Sequence, residues 1–175
     1  RIREEVADMQ VIAERDAPGM RIEPWDYLYY AERVREQKFD FDQAVLRPYF
    51  EIERMVQAVI WSSELRYGLR FTEITGSVPA FHPDVRVWEI VDAAAGTHRG
   101  LLYFDTFARA GKRSGAWASS YRVQHHMDEG ATAITSVNNN FLKGADGAPS
   151  FVSLDDARTL FHEFGHALHS LMQDV

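Results

Sequence analysis

The 175 residues contain no cysteine, which removes disulfides, thiolate metal ligands and a cysteine nucleophile together and leaves the redox compartment open. No run of 18 apolar residues occurs, so no membrane-spanning helix is expected. Basic residues are in deficit: Lys and Arg number 19 against 26 Asp and Glu, a formal net charge of −7, the wrong sign for a nucleic-acid binder. Internal repeats and low-complexity tracts are missing. So are a signal peptide and an initial Met, and the chain opens on Arg1-Ile-Arg-Glu-Glu-Val, which reads like the interior of an amphipathic helix. The expectation is a piece of a longer protein, cytoplasmic, with a periplasmic location left open. What remains is an ordinary soluble composition, 46% hydrophobic and 26% charged, long enough for one core. Eleven Phe, seven Tyr and four Trp point to aromatic packing or an aromatic-lined cleft.

The first 68 residues carry helical periodicity. Residues 1–16 alternate charged and apolar groups and stop before the Pro18-Gly19 turn signal. A second helix is predicted from Glu23, with Pro24 in its first turn, to Gln37; Phe39-Asp-Phe-Asp either closes it or starts the next. From Pro48 to Gly68, Tyr49, Ile52, Val56, Val59, Ile60 and Ser63 mark one helical stripe. The texture then changes. Leu69–Thr75, Val85–Asp92, Leu101–Phe107 and Ala131–Phe141 are β-branched or aromatic and read as strands, with Gly96-Thr-His-Arg-Gly a hairpin connection. Gly111–Gly115 is a basic loop and Lys143–Ser150 a second loop. Two segments result: 1–68, helical, and 69–175, a small sheet plus a final helix. That helix has Ser153 as N-cap and Asp156 as capping-box partner. Its apolar stripe is Ala157, Leu160, Phe161, Phe164, Leu168 and Leu171.

Residues 162–166 of that helix read His-Glu-Phe-Gly-His. Side chains four apart share a helix face, so His162 and His166 can aim at one zinc ion, with Glu163 about 100° round the helix and close enough to serve as general base. With 7 His and 13 Glu in the chain, the pattern arises by chance in roughly 2 of 100 shuffled sequences. The apolar stripe centres on the opposite face, so packing leaves the histidines free. A third ligand is harder to find. His169 shares the face, but it stands about 10 Å from His162 along a straight helix, and no Gly interrupts Ala167-Leu-His-Ser-Leu to bring it back, as in zinc sites with a third nearby His. His125 and His126 read as surface or cleft residues; His82 and His98 carry no spacing signal.

The segment Asp155–Leu171 (DDARTLFHEFGHALHSL) resembles the zinc helix of the thimet oligopeptidase family of metallopeptidases. Leu101–Trp117 (LLYFDTFARAGKRSGAW) resembles the strand and Gly-containing loop upstream of it, and Val78–Ile90 (VPAFHPDVRVWEI) the preceding strand. The helix containing Leu46-Arg-Pro-Tyr-Phe and ending at Leu65-Arg-Tyr-Gly-Leu is also similar, so the likeness runs from about Trp25 to the end. Bacterial peptidyl-dipeptidases are the most similar branch. The resemblance implies an α+β fold, mainly α-helical with a small sheet beside the zinc helix, forming part of a zincin-like catalytic region. It makes His162 and His166 zinc ligands and Glu163 the catalytic base. It places the cleft edge at the strand near Ala131–Phe141, where an extended substrate could pair. Val137-Asn-Asn-Asn-Phe is unusually rich in Asn for this family, and Ser170 replaces a usual Gly. The family's third ligand, a Glu on the following helix, and its downstream Tyr and His have no counterpart before Val175.

The resulting expectation is a Zn2+-dependent peptidase that releases C-terminal dipeptides from short oligopeptides, using zinc-bound water activated by Glu163. The chain itself is expected to be an inactive fragment that holds zinc weakly. Alternatives are an endo-acting oligopeptidase of the same family and a non-catalytic helical fragment. The expected partner is an oligopeptide; nucleic acid and membrane are not expected, and self-association through surface exposed by truncation is a further expectation.

Overall fold

Two long helices with an acidic first turn or a basic last turn open the chain: α1, Ile2–Asp16, and α2, Tyr27–Phe39. The computed structural model describes residues 2–39, 45–145 and 148–175. The end of the Phe39-Asp-Phe-Asp segment and positions 146–147 of the second loop therefore lie outside the described residues. Helix α2 starts later than the periodicity predicts. Residues 24–26 form a turn instead, because the Asp26 carboxylate accepts the Glu23 N–H at 3.1 Å and the Asp26 N–H bonds the Glu23 carbonyl. Met9, Ile12, Ala13 and Tyr30 form a small core between α1 and α2. These helices belong to one compact unit, Arg1–Val45; Leu46–Val175 form a second.

The second unit holds the main core. Pro48 sits in a single 3-10 turn, Arg47–Tyr49, and α3 follows as Ile52–Tyr67, with Gly68 in the left-handed conformation that ends it. Ile52, Val56, Val59 and Ser63 are buried as the stripe predicts, whereas Tyr49 is exposed. Five strands form one sheet: β1 Leu69–Glu73, β2 Arg86–Asp92, β3 His98–Phe107, β4 Trp117–Arg122 and β5 Ala133–Phe141. The order is β1-β2-β3-β5-β4. All neighbours are antiparallel except β3 and β5, which run parallel. The predicted hairpin joins β2 to β3, with Asp92 Oδ1 accepting the N–H groups of Ala94 and Ala95 in its turn.

The fold is thus α+β, with four helices and a five-stranded mixed sheet among the described residues. One sheet face is covered by α3 and by α4, Leu154–Leu171. Trp88, Ile90, Leu102, Phe104, Val137 and Phe141 point from the strands into that core. Gly100 is required where β3 meets β5: a Cβ there would stand 2.2 Å from the Ala133 carbonyl oxygen.

One strand carries no signal in the sequence, and one expectation is corrected. β4 was not legible as a strand: Trp-Ala-Ser-Ser-Tyr-Arg has neither β-branched residues nor alternation. And β5, the strand expected at the cleft edge, is an interior strand with main-chain partners on both sides; the outer strand is β4.

Candidate metal centre and cleft

Helix α4 begins as its sequence dictates. The Ser153 hydroxyl accepts the Asp156 N–H at 3.1 Å, and the Asp156 carboxylate accepts the Ser153 N–H at 3.0 Å, the reciprocal capping box. Asp155 and Asp156 also suit the positive end of the helix dipole. Ala157, Leu160, Phe164, Ala167, Leu168 and Leu171 are buried. Phe164 fixes the rotation of the helix: its ring lies 5.8 Å from Phe104 and 6.1 Å from Phe71. Phe161 departs from the predicted stripe. It is 43% exposed, because it lies at the flank of the apolar arc rather than within it.

With Phe164 turned inward, His162 and His166 turn outward and are exposed. Their rings meet edge to face, with centroids 4.8 Å apart, and the two Nε2 atoms are 3.2 Å apart. That separation tests whether the pair fits a metal. Two nitrogens 3.2 Å apart, each about 2.05 Å from one ion, subtend an angle of about 100° at it, near the tetrahedral value. The pair thus fits as two of a zinc ion's ligands. No group of three His, Cys, Asp or Glu that could hold a metal occurs among the described residues.

Glu163 faces sideways into a cleft between α4 and the start of β4. His166, His169 and Ser170 line the helix side; Ala116 to Ser120 line the other. Across from the carboxylate and imidazole is therefore the outer edge of the sheet. Trp117 and Ser119 turn their carbonyls toward β5, where they accept from Asn138 Nδ2 at 3.1 Å and Thr135 Oγ1 at 2.8 Å.

His82, His98, His125 and His126 do not line this cleft. His126 pairs with Asp174 at 2.6 Å; the His125 main chain bridges to Ala131. His98 lies 3.6 Å from Glu89, and His82 Nδ1 accepts the Asp84 N–H. His169, set aside as a ligand on helical geometry, lines the cleft one turn beyond His166.

A buried ionic group behind the cleft went unnoticed in the sequence. Asp105 is 2% exposed at the end of β3, and Arg109 Nη1 and Nη2 grip its two oxygens at 2.5 and 2.9 Å. Lys112 Nζ lies 3.0 Å from Asp105 Oδ1, and both side chains are 3% exposed. Burial works to raise the Asp105 pKa, but hydrogen bonds from Arg109 and Lys112 outweigh it and hold the carboxyl below its ordinary value. Burial lowers the Lys112 pKa, against the pull of Asp105. The spacing Asp105, Arg109, Lys112 resembles that of a helix face, yet it runs from a strand into a loop, so periodicity carried no signal.

The profile of peptidase family M3 matches residues 1–174. The chain is 41% identical over 172 residues to the dipeptidyl carboxypeptidase of Escherichia coli strain K12, covering 98% of this chain and 25% of that protein. It is 32% identical over 173 residues to oligopeptidase A of the same organism, again 98% and 25%. A probable thimet oligopeptidase of Arabidopsis thaliana is 29% identical over 148 residues, 83% of this chain and 21% of that protein. The chain spans about a quarter of the length of these relatives.

Proposed function

This chain belongs to peptidase family M3, and from that premise we propose that the protein containing it is a zinc-dependent peptidase that releases C-terminal dipeptides from short oligopeptides. The observation that carries the reading is the convergence of His162 and His166 Nε2 at 3.2 Å, with His166 and Glu163 lining a cleft bordered by an open sheet edge. His162 and His166 would hold the zinc, with a third ligand from outside the described residues. When bound, zinc supplies a Lewis acid for the peptide carbonyl and lowers the pKa of a coordinated water toward about 7. Glu163 accepts the proton of the attacking water and passes it to the departing amine.

The edge of β4 supplies positioning. Since Trp117 and Ser119 direct their carbonyls at β5, alternation along the strand presents the main-chain groups of Ala118 and Ser120 outward. A peptide laid against them would run past Glu163 with its own N–H and C=O groups paired, a mode that reads backbone rather than side chain. This suits short, unstructured substrates of varied sequence.

The test is hydrolysis of an N-blocked tetrapeptide by a protein of the relatives' length. Glu163→Gln should lower kcat by about 10²–10⁴ while zinc content stays at the wild-type level. Activity persisting in that variant would remove Glu163 from its role. The 32% identity to oligopeptidase A favours a second reading, internal cleavage, and C-terminal amidation separates the two. Amidation abolishes dipeptide release if a free carboxylate is required and leaves internal cleavage intact. The 175 residues alone, with two of the ligands, should turn over no peptide.

A further inference from the structure

Strand order creates a problem that the sequence solves with three polar residues. β3 and β4 are consecutive in sequence, but β5 lies between them, so the loop 108–116 has to cross the end of β5 to reach the sheet edge. The β3–β5 ladder is irregular there, its register shifting between Asp105 and Phe107. Such irregularities leave main-chain groups without ladder partners, and buried carbonyls without partners are costly.

Lys112 meets that need. Its ammonium donates to the carbonyls of Asp105 at 2.8 Å and Phe107 at 2.9 Å on β3, and to the carbonyl of Asn139 on β5. Asp105 balances the charge at 3.0 Å. Asn140 completes the crossing: its Nδ2 donates to the carbonyls of Arg113 at 2.7 Å and Gly115 at 2.6 Å. The Arg113 guanidinium then lies 4.4 Å over the Trp117 ring. Two side chains of the Asn run of β5 have a task here, Asn138 holding the Trp117 carbonyl and Asn140 the loop, whereas Asn139 receives Lys112 through its main-chain carbonyl alone and its buried side-chain amide has no partner. The ties made by Asn138, Asn140 and Arg113 hold Arg113, Gly115 and Trp117, at and beside the residues that line the cleft opposite Glu163.

We propose that Lys112 and Asn140 are positioning residues for peptide binding: they set the height and register of the β4 edge against α4 without touching substrate. The inference rests on the peptidase reading above and deepens it by naming what holds the substrate-pairing edge. A ligand that pairs along β4 gains from a fixed edge in proportion to the number of its residues that pair there, whereas the metal pair on α4 does not depend on the edge.

The test uses Asn140→Ala and Lys112→Met in a protein of the relatives' length. Asn140→Ala leaves the buried Asp105–Arg109–Lys112 group whole and so keeps the fold even where Lys112→Met does not. Misplacement of reacting groups by about an ångström costs up to about 10²-fold. Asn140→Ala is therefore expected to raise KM about tenfold for a six-residue substrate and little for a minimal one. It should leave kcat on the minimal substrate and zinc content unchanged. A purely structural role would instead lower the active fraction and reduce turnover of both substrates equally; that outcome, or unchanged KM, overturns the proposal. The second arm needs no turnover. Amide hydrogen exchange should quicken at 113–120 in the variant while α4 keeps its protection, and unchanged exchange there overturns the anchor by itself. A wild-type protein with no hydrolysis on any peptide would defeat the peptidase reading, leaving the exchange measurement to decide the anchor.

Discussion

A zinc titration of the 175-residue chain exposes the geometry of α4 most directly. The Nε2 atoms stand 3.2 Å apart, so a zinc ion can bind both with little rearrangement of the helix. Structural four-ligand zinc sites contribute about 10–16 kcal/mol, or about 2.5–4 per ligand. Two ligands then give about 5–8 kcal/mol, a Kd of roughly 1–200 μM. With a Kd near 10 μM, about 1 mM free zinc should stabilise the fold by about 2.7 kcal/mol. That corresponds to a rise in Tm of roughly 5–10 °C for a chain of this size. Calorimetric titration at neutral pH measures the affinity, and thermal unfolding with and without metal measures the linkage. His162→Ala and His166→Ala should each abolish the response, whereas His169→Ala should not, because one ion cannot span the rise from His162 to His169. Stoichiometric zinc at nanomolar concentration would refute the reasoning, since it requires a third ligand within the chain. So would a response that survives loss of His162 or His166.

Two stability predictions follow from the packing behind the cleft. Gly100→Ala places a Cβ 2.2 Å from the Ala133 carbonyl oxygen and 3.0 Å from Leu171 Cδ2. It should cost about 1–3 kcal/mol or more by overpacking, read from urea unfolding; a variant as stable as wild type would mean that β3 and β5 can separate freely. Asp105→Asn should destabilise by about 3–5 kcal/mol at pH about 6, since it leaves the Lys112 and Arg109 charges in a buried site without their counter-ion. The pH dependence has a definite sign. The folded Asp105 pKa lies below its ordinary value, so its contribution is present above the unfolded carboxylate pKa of about 3.9 and is lost as pH falls through the lower folded value. The gap between wild type and Asp105→Asn should therefore narrow in acid; a gap that widens below pH about 4 would contradict the assignment.

The helical parts of this chain were legible because their signals are local. Ser153, Asp156 and the spacing from Ala157 to Leu171 specify where α4 begins and which face is buried, and the histidines then occupy the face that remains. Likewise α3 ends at Gly68, where the chain adopts a left-handed conformation. The sheet was partly legible for the opposite reason. β2 and β3 are largely buried and rich in apolar residues, and β5 is buried with β-branched and aromatic positions beside its polar ones, but β4 is an edge strand with a polar, half-exposed surface, and its place is set by pairing with β5 rather than by its own pattern. The error about the cleft edge has the same origin. The resemblance places the cleft edge at the strand near Ala131–Phe141, whereas the parallel β3–β5 pairing inserts β5 inside and sends β4 out.

That inversion also explains why the histidine pentad could be read so easily and its surroundings so poorly. A histidine pair four residues apart on a helix needs only one element, and its separation of 3.2 Å follows from helical geometry. The opposite wall of the cleft needs a crossing loop, an irregular parallel ladder and a buried lysine to hold the edge in place. None of those has a periodicity of its own. The side chains that brace that wall from behind its lining are Asp105, Lys112 and Asn140, which pair with carbonyls or charge at the crossing. A polar residue with no local pattern, next to a Gly-containing loop and a run of Asn, is the mark such a crossing leaves in a sequence. The sequence therefore records the histidine pair as a motif and the opposite wall of the cleft only as scattered polar residues.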